Sequence, residues 1–220
     1  MSVDNRLGVT GEAVPVSEAD KLQGHPKPEN SSVLDFWRWA FSDLSDDDIK
    51  GLFAEWLVHK LLGIQSIRRV SWANSDVITP RGTRIEVKST AYWQSWKYLG
   101  EDGLPLAKPR HQPHNDDGKI RFGGLKARDS TNAVTEGVDR DFKSDFYVFA
   151  LQKETNLDSW NALNLSQWEF FWVPISKLRE LGSASISLRT LRKNFGTLSA
   201  EQLSVYGRDA IITFEAGRDA

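Results

Sequence analysis

Two carboxylates and one amine lie close together in the segment from Asp76 to Thr90, DVITPRGTRIEVKST. Side chains alternate between the two faces of a β-strand, so Glu86 and Lys88 are expected to project from the same face. A turn at residues 80–82 predicts a hairpin that brings Asp76 beside Glu86. Two neighbouring carboxylates repel each other unless a proton or a cation lies between them. The segment therefore indicates a cation site built from oxygen ligands.

The residue types available restrict the identity of that cation. The chain of 220 residues contains no Cys and only four His, which excludes disulfides, iron–sulfur clusters, thiol nucleophiles and zinc sites that use Cys. Hard oxygen ligands favour Mg²⁺ or Mn²⁺. Glu55 is a candidate third carboxylate, because it flanks the apolar stripe of a predicted helix, where an acid without a partner is costly.

The helix that carries Glu55 is the clearest amphipathic segment of the chain. Its apolar residues follow the spacing i, i+3, i+4, i+7, i+8 and i+12 from Ile49 to Leu61. Ser45 is the predicted N-cap, and the three Asp residues that follow it complement the helix dipole. Gly63 is predicted to end this helix.

Further elements predict an α/β fold. Three shorter helices are expected at residues 33–44, 176–181 and 188–194, the last of them capped by Ser187 and closed by Gly196. Alternating or continuous apolar runs predict strands at residues 66–72, 76–80, 84–90, 119–122, 145–151, 168–173 and 210–214. The predicted architecture is a mixed central β-sheet flanked by helices, since such a sheet packs naturally between helices.

The chain termini and hydropathy define the expected domain organisation. Residues 1–30 contain three Pro and no aromatic residue, which predicts a flexible tail before a single domain at residues 31–220. Because no run of about 18 apolar residues occurs, no membrane span is expected. The N-terminus lacks the apolar region of a secretory signal, so we expect a cytoplasmic protein.

The order of these motifs resembles the PD-(D/E)XK, or restriction-endonuclease-like, nuclease superfamily. An acid on a helix, Glu55 in GLFAEWL, precedes Asp76 at the start of one strand and Glu86-Val-Lys on the next. The stretches EVKSTAYWQSW and SDFYVFAL are also similar to an uncharacterised bacterial branch of that superfamily. The resemblance covers residues 45–175, and its specific part is residues 55–94. Ser75 stands where the family name has a proline.

The resemblance implies hydrolysis of a phosphodiester bond, in DNA more than in RNA, inside a bacterial cell. It assigns Mg²⁺ to the carboxylates of Asp76 and Glu86, with the Val87 carbonyl as a further ligand. Glu55 would bind the metal directly or through water. Lys88 would orient the attacking water or help to deprotonate it, and would offset the phosphate charge.

Two further expectations come from the resemblance alone. Gln94 stands where some branches of the superfamily carry a glutamine that supports the site. Many relatives dimerise to cut both strands, so a homodimer is also implied.

The charge distribution bears on a nucleic-acid substrate. A net charge of −2 gives no support to nucleic-acid binding. The charges are nevertheless divided along the chain, because residues 60–110 hold nine Lys or Arg and four Asp or Glu, whereas residues 1–48 hold four and ten. The basic segment contains the Glu-x-Lys motif, which weakens the argument from net charge against a nucleic-acid substrate.

Other interpretations of the same residues stay open. Glu-x-Lys is a common pattern on a solvated strand face, so the alternatives are a nucleic-acid-binding module with an idle metal site and a Trp-rich interaction protein. His59 follows Glu55 by one helical turn and either joins the site or lies on the helix surface. The cluster at residues 111–117 has metal-ligand types in a predicted loop. The chain contains neither a nucleophile elbow nor a P-loop, which argues against a serine hydrolase and against ATP-driven chemistry.

Overall fold

The computed structural model describes residues 16–22, 31–65, 69, 75–93, 117–127 and 140–218. The chain divides into two compact units, Met1–Leu44 and Ser45–Ala220. In the first unit, helix α1 (Val33–Phe41) begins at a capping box in which the Ser32 hydroxyl and the Asp35 carboxylate each accept from the other residue's backbone. None of the residues of α1 is buried.

A four-stranded mixed sheet forms the centre of the second unit. Its strands are β1 (Val77–Ile78), β2 (Arg84–Ala91), β4 (Phe146–Gln152) and β5 (Trp168–Pro174), in the spatial order β1-β2-β4-β5. The pairs β1–β2 and β4–β5 are antiparallel, and β2–β4 is parallel. Strand β4 is buried at every position, as its continuous apolar run predicts.

Two long helices cover one face of this sheet. Helix α2 (Asp47–Leu62) packs on β2, and helix α5 (Ala200–Arg218) packs on α2 and β5. On α5, Gly207 lies so close to its neighbours that an added Cβ would be 2.6 Å from Leu62 Cδ2 and 3.2 Å from the Trp172 ring. The absence of a side chain at this position therefore allows the two helices and β5 to approach each other.

The opposite face of the sheet carries Glu86 and Lys88 of β2 in register with Tyr147 and Phe149 of β4. A small antiparallel sheet of β3 (Arg121–Phe122) and β6 (Ile186–Ser187), with helices α3 (Ile175–Leu181) and α4 (Leu188–Asn194), adds residues to the core on this side. The second unit therefore has helices on both faces of its mixed sheet.

Most of the predicted elements are present, with shifted ends. Helix α2 is capped by Asp46 rather than Ser45, and α1 ends at Phe41 rather than at residue 44. Helix α4 has its predicted bounds, but its C-cap is Phe195 and not Gly196. The strand predicted at residues 66–72 lies outside the described residues, apart from residue 69. The predicted tail and single domain stay predictions.

The strand predicted at residues 210–214 is wrong, because these residues lie within helix α5. The buried positions of α5 include Leu203, Gly207, Ile211 and Glu215, which repeat every four residues. Two of these four are not apolar, so the helical stripe is hidden in the sequence. Within the described ranges, no helix combines the length and hydropathy needed to cross a bilayer.

Candidate active site

The carboxylate of Asp76 is held at the edge of the sheet by main-chain hydrogen bonding. Asp76 Oδ2 accepts a hydrogen bond of 2.7 Å from the Val87 backbone N–H. Since Val77 pairs with Ile85, the antiparallel register continued by one residue places Asp76 opposite Glu86. The N–H and C=O of one strand residue point to the same side, so the Val87 carbonyl faces the edge that Asp76 occupies.

Glu86 and Lys88 form an ion pair on one face of β2. Lys88 Nζ lies 2.8 Å from Glu86 Oε1, and the two side chains are 26% and 19% exposed, respectively. Solvent and a ligand therefore have partial access to both. A Cβ placed on Gly124 would lie 3.9 Å from Lys88 Nζ, so the loop after β3 passes close to this amine.

A buried pair of hydroxyls adjoins Glu86. Ser144 Oγ lies 3.5 Å from Glu86 Oε2 and 2.7 Å from Ser75 Oγ. Both serines are buried. Ser75 thus connects the segment before β1 to the segment before β4.

The pKa of Asp76 is the most perturbed acidic pKa among the described residues. This pKa is raised to about 7, mainly by burial and further by the negative charges of Glu86 and Glu55. The Val87 N–H and the Lys88 ammonium act in the opposite direction. Like-charged neighbours raise a carboxyl pKa because they disfavour its ionised form, and a bound cation would relieve that repulsion.

Glu55 approaches this group from helix α2. Its charge contributes to the pKa of Asp76, but its carboxylate is engaged by Arg69, whose Nε and Nη2 donate to Glu55 Oε2 and Oε1, the second at 3.0 Å. The Arg69 side chain is 46% exposed. The structure therefore places Glu55 near the other carboxylates and pairs it with a cation from the chain itself.

His59 contacts the site from the next turn of α2. Its Nε2 lies 3.2 Å from the Asp76 carbonyl oxygen, which makes Nε2 the donor, while its buried Nδ1 has no hydrogen-bond partner among the described residues. Of the two alternatives for His59, the structure favours a place beside the site. The i, i+4 spacing from Glu55 was the sequence signal.

A buried acid that the sequence did not single out holds the hairpin in place. Glu215 Oε1 of α5 accepts from Thr79 Oγ1 at 2.6 Å and from Thr83 Oγ1 at 2.7 Å. These threonines flank the turn between β1 and β2. Helix α5 thereby fixes the hairpin that positions Asp76 and Glu86. No short-range pattern indicates such a contact, because more than 130 residues separate its partners.

The remaining candidate residues have other outcomes. Gln94 and residues 111–116 lie outside the described residues. Arg192 of helix α4 donates to Asp117 at 2.7 Å and to Glu169 at 2.6 Å, so its charge is paired within the protein. Tyr92 is buried in the core.

The structure brings together Asp76, Glu86 and Lys88, with Glu55 at the periphery. Across the part of the chain that is described, no three or more His, Asp or Glu side chains meet closely enough to hold a metal ion. A cation here would therefore rest on two carboxylates and the Val87 carbonyl, with solvent or substrate oxygens completing its shell, which is a common arrangement for Mg²⁺. On donor chemistry, these residues fit that ion.

Comparison with known proteins adds no family assignment. No protein-family model matches the chain, and no curated protein is significantly similar to it.

Proposed function

We propose that this chain is a Mg²⁺-dependent nuclease of the restriction-endonuclease-like class that hydrolyses phosphodiester bonds in DNA. The observation that carries the proposal is the convergence of Asp76 and Glu86 beside the amine of Lys88; burial raises the pKa of Asp76 to about 7, and the charge of Glu86 contributes to that rise. The motif order from Glu55 to Lys88 supports the same class.

Each residue has a distinct role in this proposal. Asp76 and Glu86 hold the divalent cation through carboxylate oxygens, and Val87 offers its carbonyl on the same edge. When bound, the cation polarises a phosphoryl oxygen and lowers the pKa of a bound water. Lys88 exchanges its pairing with Glu86 for the phosphate or the attacking water, and Glu55 supports the site from α2.

The ion pairs indicate how the protein tolerates these acids. Lys88 neutralises Glu86 and Arg69 neutralises Glu55, which leaves Asp76 as the acid whose ionised form is least favourable. Binding of a cation is therefore coupled to loss of a proton from this group. The same two basic residues would compensate the charge of a phosphate backbone.

The test is cleavage of supercoiled plasmid DNA, with RNA of matched length as a second substrate and with either Mg²⁺ or EDTA. We expect cleavage in Mg²⁺ alone and a loss of about 10²-fold or more in Asp76→Asn and in Lys88→Ala, the scale expected when a group is removed from a metal-assisted step. Lys153→Ala is the matched control, because Lys153 is also a partly exposed lysine beside a carboxylate, that of Glu169, and it should retain the wild-type rate.

Three outcomes would contradict the proposal. Cleavage that continues in EDTA would show that the reaction needs no metal ion. Wild-type cleavage rates in both site variants would show that the reaction does not take place at this site. Salt-dependent DNA binding with no cleavage under any metal would favour the idle binding module instead.

A further inference from the structure

A cavity of about 690 Å³ lies beside β5, at the opposite edge of the sheet from β1. Its walls come from β5, α3, the end of α4 and α5. The apolar part of this edge cavity consists of Trp172, Pro174, Leu181, Phe195, Leu198 and Tyr206. The volume lies within the usual range of ligand sites, and the proposed nuclease function uses none of these residues.

The outer edge of β5 already accepts one extended segment. Phe170 exchanges both of its main-chain hydrogen bonds with Leu198, at 2.9 Å and 2.8 Å, in an isolated antiparallel bridge. Phe170 therefore points its N–H and C=O away from β4. Strand alternation makes Trp172, two residues later, point its main-chain groups to the same outer side.

The hydrogen bonds to β4 support this orientation. Just beyond the strand ends, the Lys153 N–H donates to the Gln167 carbonyl and the Ile175 N–H donates to the Asp145 carbonyl. The odd-numbered positions of β5 therefore bond to β4, and the even-numbered positions face the outer edge. Among the described residues, nothing pairs with the Trp172 main-chain N–H or C=O. Pro174, the next outward position, has no N–H. The edge cavity thus adjoins one free donor and one free acceptor of a strand.

We propose that the edge cavity binds an extended peptide segment of a partner protein, which adds to β5 beside Leu198. One residue of the peptide exchanges main-chain hydrogen bonds with Trp172, as Leu198 does with Phe170. An apolar side chain of the peptide enters the cavity between Phe195 and Tyr206. This is strand addition, in which the main chain supplies affinity and a pocket supplies specificity.

The features of the cavity favour a peptide over a small apolar molecule. A small apolar molecule fills the lining but leaves the Trp172 N–H and C=O unpaired, and unpaired buried main-chain groups are costly. A peptide provides both partners at the spacing of a strand. The Lys177–Glu180 ion pair, which is more than half exposed, also lines the cavity and can pair with polar groups of such a segment.

The test uses the full chain and a phage-displayed library of nine-residue peptides. We expect enrichment of sequences with an apolar residue at one fixed position, and binding of the selected synthetic peptide to the wild type. Gly196→Phe should weaken that binding at least 10-fold, because Gly196 lines the cavity and an added Cβ meets nothing within 4 Å. Gly217→Phe, which is equally open but lies outside the cavity, should bind like the wild type.

N-methylation along the selected peptide separates strand pairing from simple filling of the cavity. Methylation of the amide that donates to the Trp172 carbonyl should abolish binding, whereas methylation of its immediate neighbours should change it less than 3-fold. The absence of any enriched peptide, equal binding by Gly196→Phe, or indifference to N-methylation would each overturn the proposal. Circular dichroism and thermal unfolding of both Gly variants check that they fold.

Discussion

The Asp76 carboxylate accepts a hydrogen bond from the backbone N–H of Val87, with 2.7 Å between Val87 N and Asp76 Oδ2. A side chain thereby takes the place of the main-chain acceptor that a longer β1 would supply, because β1 contains only Val77 and Ile78. This contact fixes one carboxylate opposite Glu86 and lowers the pKa of Asp76 against the larger effect of burial. The geometry of the candidate active site thus depends on the end of a two-residue strand.

The first prediction concerns the pH dependence of stability. The folded pKa of Asp76, about 7, lies above the ordinary aspartate pKa of 3.8, so the stability that this group contributes is fully present below pH 3.8 and is lost as the pH rises through 7. Asp76→Asn removes the titrating group and keeps an acceptor for the Val87 N–H. At pH 8, the free energy of unfolding of Asp76→Asn should exceed that of the wild type by at least ~1 kcal/mol.

Urea unfolding of both proteins at several pH values between 4 and 8 measures this difference. Asp158→Asn, in an exposed loop, is the control and should run parallel to the wild type. Added Mg²⁺ should raise the melting temperature of the wild type more at pH 8 than at pH 5.5, and should have little effect on Asp76→Asn. A difference between the wild type and Asp76→Asn that does not change with pH would contradict the assignment.

The second prediction separates Glu55 from its partner Arg69. If Glu55 supports the cation, Glu55→Gln should raise the Mg²⁺ concentration that gives half-maximal cleavage, whereas Arg69→Met should lower it by freeing the carboxylate. Since Arg69 is 46% exposed, each change should cost less than about 1 kcal/mol of stability. Mg²⁺ titrations of cleavage by the two variants test this prediction. If the Mg²⁺ concentration for half-maximal cleavage shifts in the same direction in both variants, the Glu55–Arg69 pair has only a structural role.

Local patterns in the sequence predicted the strands that carry the site, but they did not predict the helix that holds those strands in place. Alternation placed Glu86 and Lys88 on one face of β2, and the apolar run predicted β4 within one residue. Helix α5 escaped prediction because Gly207 and Glu215 occupy its buried stripe, while β-branched Ile211 and Ile212 favour a strand. The close approach of α5 to α2 and the contact of Glu215 with the hairpin join residues far apart in the sequence, so no local pattern predicts them.

The third prediction concerns that distant carboxylate. Although burial opposes the effect, hydrogen bonds from Thr79 and Thr83 hold the pKa of Glu215 below its usual value. Glu215→Gln should lower the free energy of unfolding at pH 7 by up to about 1.5–3 kcal/mol, the range for hydrogen bonds to a charged group. The deficit should shrink as the pH falls through the lowered pKa, because the wild type then loses the same charge.

Chemical denaturation at pH 7 and pH 3.5 tests this. Asp209→Asn, on an exposed position of the same helix, is the control and should change stability by less than about 0.5 kcal/mol at either pH. Equal stability of Glu215→Gln and the wild type at pH 7 would show that the negative charge of Glu215 does not strengthen the threonine hydrogen bonds that hold the hairpin.

The last prediction addresses the close packing of α5 on α2 and β5. Alanine is a better helix former than glycine, so a Gly→Ala change in an open helical position should stabilise the protein by about 0.5–1 kcal/mol. At Gly207 the new Cβ would stand 2.6 Å from Leu62 Cδ2 and 3.2 Å from the Trp172 ring, both of which are buried, so one of them must move. Overpacking of this kind typically costs about 1–3 kcal/mol, which outweighs the gain in helix propensity.

Gly207→Ala should therefore lower the melting temperature, while Gly217→Ala, in the same helix with nothing within 4 Å, should raise or maintain it. Thermal unfolding of the two variants compares helix propensity with packing directly, and a Gly207→Ala protein as stable as Gly217→Ala would mean that α5 has room to shift away from α2.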